Sequence, residues 1–218
     1  MAEIENIGHS TVMIKTDEKT IYIDPFYADS LPKSVKEFYE EAEKADVLLI
    51  THGHHDHCDP STFKKLLDKN TKIVAPEICS EKIDRDLITV KPGDTVNLNG
   101  IEVRAVHAYN RKRKRDSGEP FHPKGEGVGY LIDLDEKTVY HPGDTEKIPE
   151  MENFPEIDTA FLPIDGTYTM KIDEAVEAAK IIRPNVVIPF HERDVDPEKF
   201  RDELESETKI EVKLSRKG

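Results

Sequence analysis

The chain has 218 residues, enough for one generous domain or two very small ones, and its 36% apolar content can build a core, which argues against disorder. Its 31 basic against 45 acidic side chains leave a formal charge of −14, a field that repels phosphates and disfavours a general nucleic-acid or anionic-membrane binder. Two cysteines, Cys58 and Cys79, are too few for a disulfide framework; no run approaches the ~18 apolar residues of a membrane span, and Met1-Ala-Glu-Ile-Glu5 is unlike a signal peptide, so a cytoplasmic location is expected.

In chain order, residues 3–7, 11–15 and 20–23 are short and β-branched, separated by Gly8 and the charged turn at 17–19, which predicts a meander. Helical spacing covers 35–44, and Val47 to Thr51 reads as a buried strand that ends in a histidine cluster. Asp59 as N-cap with Pro60 at the first helical position predicts a helix to about Lys69. Strands are expected at 72–75, 87–90, 95–98 and 101–107, with turns at Pro92-Gly-Asp94 and Asn97-Leu-Asn-Gly100. Residues 108–126 form one long polar stretch, the kind that in a compact domain is functional or mobile. Further strands follow at 127–133, 138–140, 159–162, 185–189 and 209–214, with a helix at about 173–182. No internal linker interrupts this order, so residues 1–218 read as a single α/β domain, a sandwich of sheets and outer helices.

The segment Thr51-His52-Gly53-His54-His55-Asp56-His57 packs four imidazoles and a carboxylate into six positions after an apolar strand. Imidazole nitrogen suits Zn, Fe, Mn or Ni, and a loop at a strand end can turn His52 and His54 toward one ion while Asp56 and His57 serve a second. Three further candidates, His107, Asp144 and His191, each stand at or just beyond the carboxyl end of an apolar strand, where ligands of open α/β sheets gather.

These residues resemble the metallo-β-lactamase superfamily, whose H-x-H-x-D-H pattern stands here as His52-x-His54-x-Asp56-His57, with Asp24, His107, Asp144 and His191 as the other motifs in order. Gly8-His-Ser10, Gly127-Val-Gly-Tyr130 and the segment 162–170 are further similar to the branch of small metal-dependent hydrolases related to ascorbate-phosphate lactonase and N-acylphosphatidylethanolamine phospholipase D. The resemblance implies a four-layer αββα sandwich and an enzyme: a dinuclear hydrolase in which a metal-bridged hydroxide attacks a small ester, lactone or phosphodiester. It implies one ion, most simply zinc with Mn, Fe or Ni as alternatives, on His52, His54 and His107, and a second on Asp56, His57 and His191. Asp144 would bridge them. Such a site is locally net positive and suits a small anionic substrate.

Asp24 before Pro25 reads as a carboxylate that orients a ligand histidine rather than as a ligand. His55 is expected to face away, and Cys58 to pack. Alongside Asp144, His9 and His141 are the candidate catalytic residues, as substrate hydrogen-bond donors or proton donors to a leaving group. His122 on the long loop reads equally as a closing residue or a loop stabiliser, and Tyr168 as a group that reaches substrate or simply packs. Arg111-Lys-Arg-Lys-Arg115, the one basic run, reads either as a solvated loop tip or as a lid that recruits anions. A nuclease of the same fold and a non-catalytic metal-binding or sensor domain are the alternative functions. No membrane insertion is expected, nucleic acid is disfavoured by charge, and homo-oligomerisation is left open.

Overall fold

The computed structural model describes residues 2–134 and 137–215. They fall into two compact units, the first built on residues up to Val90 and the second on Lys91 to Leu214.

The first unit carries a six-stranded sheet, β1 (Glu3–Gly8), β2 (Thr11–Lys15), β3 (Thr20–Ile23), β4 (Val47–Leu49), β5 (Lys72–Ala75) and β6 (Leu87–Thr89), in that spatial order. The first three strands form the expected antiparallel meander, and β3 through β6 run parallel. Helix α1 (Lys33–Glu41) connects β3 to β4, and α2 (Pro60–Leu66) connects β4 to β5, as parallel neighbours require a crossover. Asp59 caps α2 by accepting from the Ser61 N–H at 2.9 Å. Both helices end earlier than their sequence pattern suggests. Past Leu66 the Asp68 side chain accepts from the Asn70 N–H and Thr71 accepts from the Asp68 N–H, a local turn that competes with helix. Past Glu41 the chain is extended, with the Glu43 carbonyl taken by the Tyr22 hydroxyl at 3.2 Å. Tyr22, Leu48, Ile50, Phe63, Leu66 and Ile73 form the core, and Cys58 and Cys79 lie buried within it as free thiols, so Cys58 packs as expected.

The second unit carries a seven-stranded sheet in the order β13-β12-β11-β10-β9-β8-β7. Its strands are β7 (Thr95–Leu98), β8 (Ile101–Ala108), β9 (Gly127–Asp133), β10 (Thr138–His141), β11 (Thr159–Pro163), β12 (Val186–Phe190) and β13 (Glu211–Val212). Pairing is antiparallel from β7 to β10 and parallel from β10 to β13. Helix α3 (Ile172–Ile182) turns Ala175, Val176, Ala178, Ala179 and Ile182 inward, a face of helical period, against Tyr140, Leu162, Ile164 and Val187. Each large aliphatic side chain so buried contributes about 1.5–3 kcal/mol. A further helix, α4 (Pro197–Glu207), lies outside the elements expected from the sequence; Asp196-Pro197 repeats the Asp-Pro start of α2, and Asp196 caps the Glu198 N–H at 3.1 Å. The final strand is correspondingly short. Among the described residues no helix is long and apolar enough to cross a membrane.

In both units parallel strands deliver their carboxyl ends to one edge of a sheet. β3 and β4 lead to Asp24 and to Thr51-His52; β10, β11 and β12 lead to Asp144, Asp165 and His191.

Candidate functional site

In the first unit Asp24 is wholly buried in a left-handed backbone conformation (φ 46°). Its carboxylate accepts from the Thr51 N–H at 2.7 Å, the Thr51 hydroxyl at 2.5 Å and His57 Nδ1 at 2.8 Å. A carboxylate only accepts, so the His57 proton sits on Nδ1 and its Nε2 carries the lone pair. The Thr51 hydroxyl gives its one proton to Asp24 and therefore accepts from His52 Nδ1 at 3.0 Å, which fixes the same tautomer on His52. Asp24, His52 and His57 offer ligand atoms within 4.8 Å of one another. His52 Nε2 stands 3.1 Å from His54 Nδ1. Two nitrogens ~2.0–2.1 Å from one ion lie ~2.9–3.4 Å apart at angles of about 90–109°, so the pair fits a shared metal.

Asp56 lies beside this group, its Oδ2 3.0 Å from His9 Nε2 and its carbonyl accepting from the Ser10 hydroxyl at 2.5 Å. The Gly8-His-Ser10 turn thus holds the Asp56 segment. His55 faces away as expected, its side chain 87% exposed.

In the second unit one carboxylate oxygen meets two imidazoles. Asp144 Oδ2 is 3.2 Å from His122 Nε2 and 3.6 Å from His191 Nε2. Both rings have their Nδ1 engaged elsewhere: His122 Nδ1 donates to Asn110 Oδ1 at 2.7 Å, and His191 Nδ1 lies 3.0 Å from Asp165 Oδ2. The Nε2 of a neutral His122 is therefore a lone pair facing a carboxylate oxygen, and the His191 Nε2 lies against the same oxygen. Such a meeting of acceptors calls for positive charge, a ring proton or a metal ion, and the donor set suits the ion. Asp165 is held in turn by the Thr167 and Tyr168 N–H groups at 2.6 and 2.7 Å and the Thr169 hydroxyl at 2.8 Å. Burial raises its carboxyl pKa, and the bonds from His191, the Tyr168 N–H and Thr169 outweigh this and hold it below the usual range.

Gly129 on β9 permits this arrangement. A Cβ there would stand 2.9 Å from the Pro142 carbonyl oxygen, so only glycine admits the chain that leads into Asp144. His141 is fully buried against Phe161 and Phe190, and its Nδ1 accepts from the Gly143 N–H at 3.2 Å. It braces the same turn. His107, on β8, has a buried Nδ1 with no hydrogen-bond partner among the described residues, a condition that suits a ligand nitrogen.

The long loop after β8 is anchored rather than loose. The Glu146 carboxylate, buried, accepts from the N–H groups of Arg111, Lys112 and Arg113 at 2.8, 2.8 and 2.7 Å and from the Arg113 guanidinium at 3.1 Å. Burial pushes its pKa up, and these four bonds outweigh burial and lower it. Arg113, its side chain 11% exposed, also donates to Glu174, as does Lys112. Lys112 and Arg113 of the basic run are thus tied to carboxylates within the fold.

His122 and Asp165 are the residues that the sequence reading undervalued. Asp165 follows the end of β11, where the strand-end rule that found Asp144 and His191 also applies. His122 lies in an irregular loop, where no periodicity points to it.

The sequence model of a β-lactamase superfamily domain matches residues 3–191. The chain belongs to this superfamily. It is 36% identical to a UPF0173 metal-dependent hydrolase of Thermoplasma acidophilum, over 89% of this chain and 87% of the relative. It is 32% identical to one of Pyrococcus abyssi, over 97% and 96%. Among solved structures it is similar to a protein from Parabacteroides distasonis (TM-score 0.87, 34% identity, covering 100% of this chain and 94% of that one). It is also similar to a metallo hydrolase from Ignicoccus hospitalis (TM-score 0.82, 26% identity, 100% and 96%). The chain is accordingly a metal-dependent hydrolase of the metallo-β-lactamase superfamily, with the α/β fold of that type.

Proposed function

We propose that this superfamily member is a dinuclear hydrolase of a small anionic ester, lactone or phosphodiester. The observation that carries the reading is the pair of buried carboxylates, Asp24 on His57 and Asp165 on His191, each fixing an imidazole so that Nε2 is left as the ligand atom. By the resemblance, one ion would be held by His52, His54 and His107 and the other by Asp56, His57 and His191, with Asp144 shared. His122, set against Asp144, joins these as a candidate ligand. Divalent ions at such residues supply an acidified water and a Lewis acid for the substrate carbonyl or phosphoryl oxygen, and zinc is the metal we expect.

The protein's own groups do the rest. Asp24 and Asp165 hold the tautomers, and Thr51 extends that control to His52. His9, paired to Asp56, is the candidate proton carrier, and His141 steadies the Asp144 turn. The nuclease alternative loses support from the basic run, because Arg113 and Lys112 are tied to Glu146 and Glu174.

Elemental analysis of the purified protein, followed by ester, lactone and phosphodiester assays with and without chelator, tests the reading. Two divalent ions per chain and a chelator-sensitive activity restored by Zn are expected. A fully metal-loaded protein that turned over nothing in that panel would point instead to a binding or sensor domain.

A further inference from the structure

Four side chains of the second unit form a row that the metal chemistry does not use. The Arg193 guanidinium lies 4.6 Å over the Tyr168 ring; Tyr168 meets Phe121 edge-on at 4.9 Å; and the Arg115 guanidinium lies 5.3 Å over Phe121. Both arginines are exposed and both rings are half-buried.

The row is built into the same loops as the candidate ligands. Phe121 precedes His122, which faces Asp144. Tyr168 gives its N–H to Asp165, the carboxylate that holds His191. Asn110 joins the two loops: its Nδ2 donates to the Tyr168 carbonyl at 2.8 Å, while its Oδ1 receives both the N–H and the Nδ1 of His122. Arg193 stands two residues beyond His191, and both have left-handed backbones, with φ 50° and 52°. Such a conformation in a non-glycine residue is costly and persists only where the surroundings enforce it.

Arg193 contrasts with Arg113. Arg113 is satisfied by two carboxylates, whereas Arg193 is held by stacking on Tyr168 and has no carboxylate partner among the described residues. A position over an aromatic ring uses no carboxylate and leaves guanidinium N–H donors, which bind a carboxylate or phosphate through two parallel bonds. The geometry points to Arg193 on Tyr168, with Phe121 beside it, as the subsite that selects an oxyanionic substrate, carboxylate or phosphate, carrying a flat or apolar portion for the aromatic pair. This rests on the hydrolase reading and deepens it, moving anion recognition from the basic run to a residue outside it.

Two measurements test the subsite. In metal-free, chelator-treated protein, calorimetry with phenyl phosphate and with benzoate separates the two oxyanions. Arg193→Gln should weaken whichever binds by about tenfold or more, Arg193→Lys should recover only part, and the charge-matched control Lys199→Gln on α4 should not differ from the parent. In the metal-loaded enzyme, Arg193→Gln should raise the KM for bis(p-nitrophenyl) phosphate relative to that for neutral p-nitrophenyl acetate by about tenfold, with kcat for the anionic substrate moving far less. The subsite is overturned if neither oxyanion binds the metal-free parent, if Arg193→Gln binds as well as the parent, or if Lys199→Gln has the same effect. The calorimetric arm reads independently of turnover, so an inactive enzyme would sink the hydrolase reading and leave the binding result standing.

Discussion

The two units assemble their candidate ligand nitrogens by different routes. In the first, His52, His54, Asp56 and His57 come from one six-residue loop after β4, and one buried carboxylate, Asp24, serves both His57 directly and His52 through Thr51. In the second, Asp144, Asp165, His191 and His122 come from four separated segments, three of them beyond the ends of adjacent parallel strands. That unit needs additional scaffolding: Gly129 for close backbone approach, Asn110 to join two loops, and Glu146 to pin the longer of them. A dense loop needs one orienting residue, whereas a dispersed set needs one for each ring.

The largest effect should come from the carboxylate shared by two imidazoles. Asp144→Ala is expected to lower hydrolysis by several orders of magnitude and reduce bound metal, measured by steady-state assay and elemental analysis on the same sample. Full activity with full metal would remove Asp144 from the chemistry and leave the second unit without its centre. Next come the orienting residues. Asp24→Asn and Asp165→Asn should each weaken metal affinity by about 10–100-fold, because an amide in place of the carboxylate no longer dictates the ring proton. Competition with a chromogenic chelator reads both. Asp24 serves two rings, so its loss should be the larger; an equal or reversed order would mean that Asp24 does not act on His52 through Thr51.

The same contrast explains what could be read from sequence. The loop at His52 to His57 is legible because its donors are neighbours in the chain and follow an apolar strand. Asp144 and His191 are legible by the strand-end rule, and Gly127-Val-Gly-Tyr130 marks a strand whose second glycine yields to the Pro142 carbonyl. His122 is not, since its position depends on Asn110 and on a loop fold set by Glu146, contacts 12 and 35 residues from their partners. The basic run misleads in the same way. Five like charges look like a free tip until Glu146 and Glu174, far along the chain, are placed against them. Helix α4 is different: its Asp196-Pro197 start is a legible signal of the same kind as Asp59-Pro60.

The loop anchor itself makes a pH prediction. Glu146 and Glu174 both have carboxyl pKa values held below the ordinary 4.5, Glu174 at about 2, because the bonds to Arg113 and to backbone N–H groups outweigh burial. Groups with depressed folded-state values contribute stability above the unfolded pKa and lose it as the pH falls. The segment 111–122 should therefore loosen between pH about 4.5 and about 2, seen as faster exchange of the Arg111, Lys112 and Arg113 amides after correction for intrinsic rates. Glu146→Ala should produce the loosened loop already at neutral pH and cost about 2–4 kcal/mol in urea unfolding, since it leaves three donors and a guanidinium short of an acceptor. Unchanged exchange in that variant would mean that the loop is held by something other than Glu146.

The smallest effect separates the tied part of the basic run from its solvated part. Lys114 is exposed and forms no ion pair among the described residues, and only its backbone is engaged, in a bridge to Pro120. Lys114→Ala keeps that backbone and should shift stability by no more than about 0.5 kcal/mol, while Arg113→Ala next to it should cost about 2 kcal/mol or more by stripping a cation from two carboxylates. If the two substitutions cost the same, the run behaves as one solvated strip and the anchoring role of Glu146 reduces to its backbone bonds. A wide gap instead shows that the fold uses Arg113 differently from its neighbour Lys114, a distinction that net charge and local sequence could not reveal.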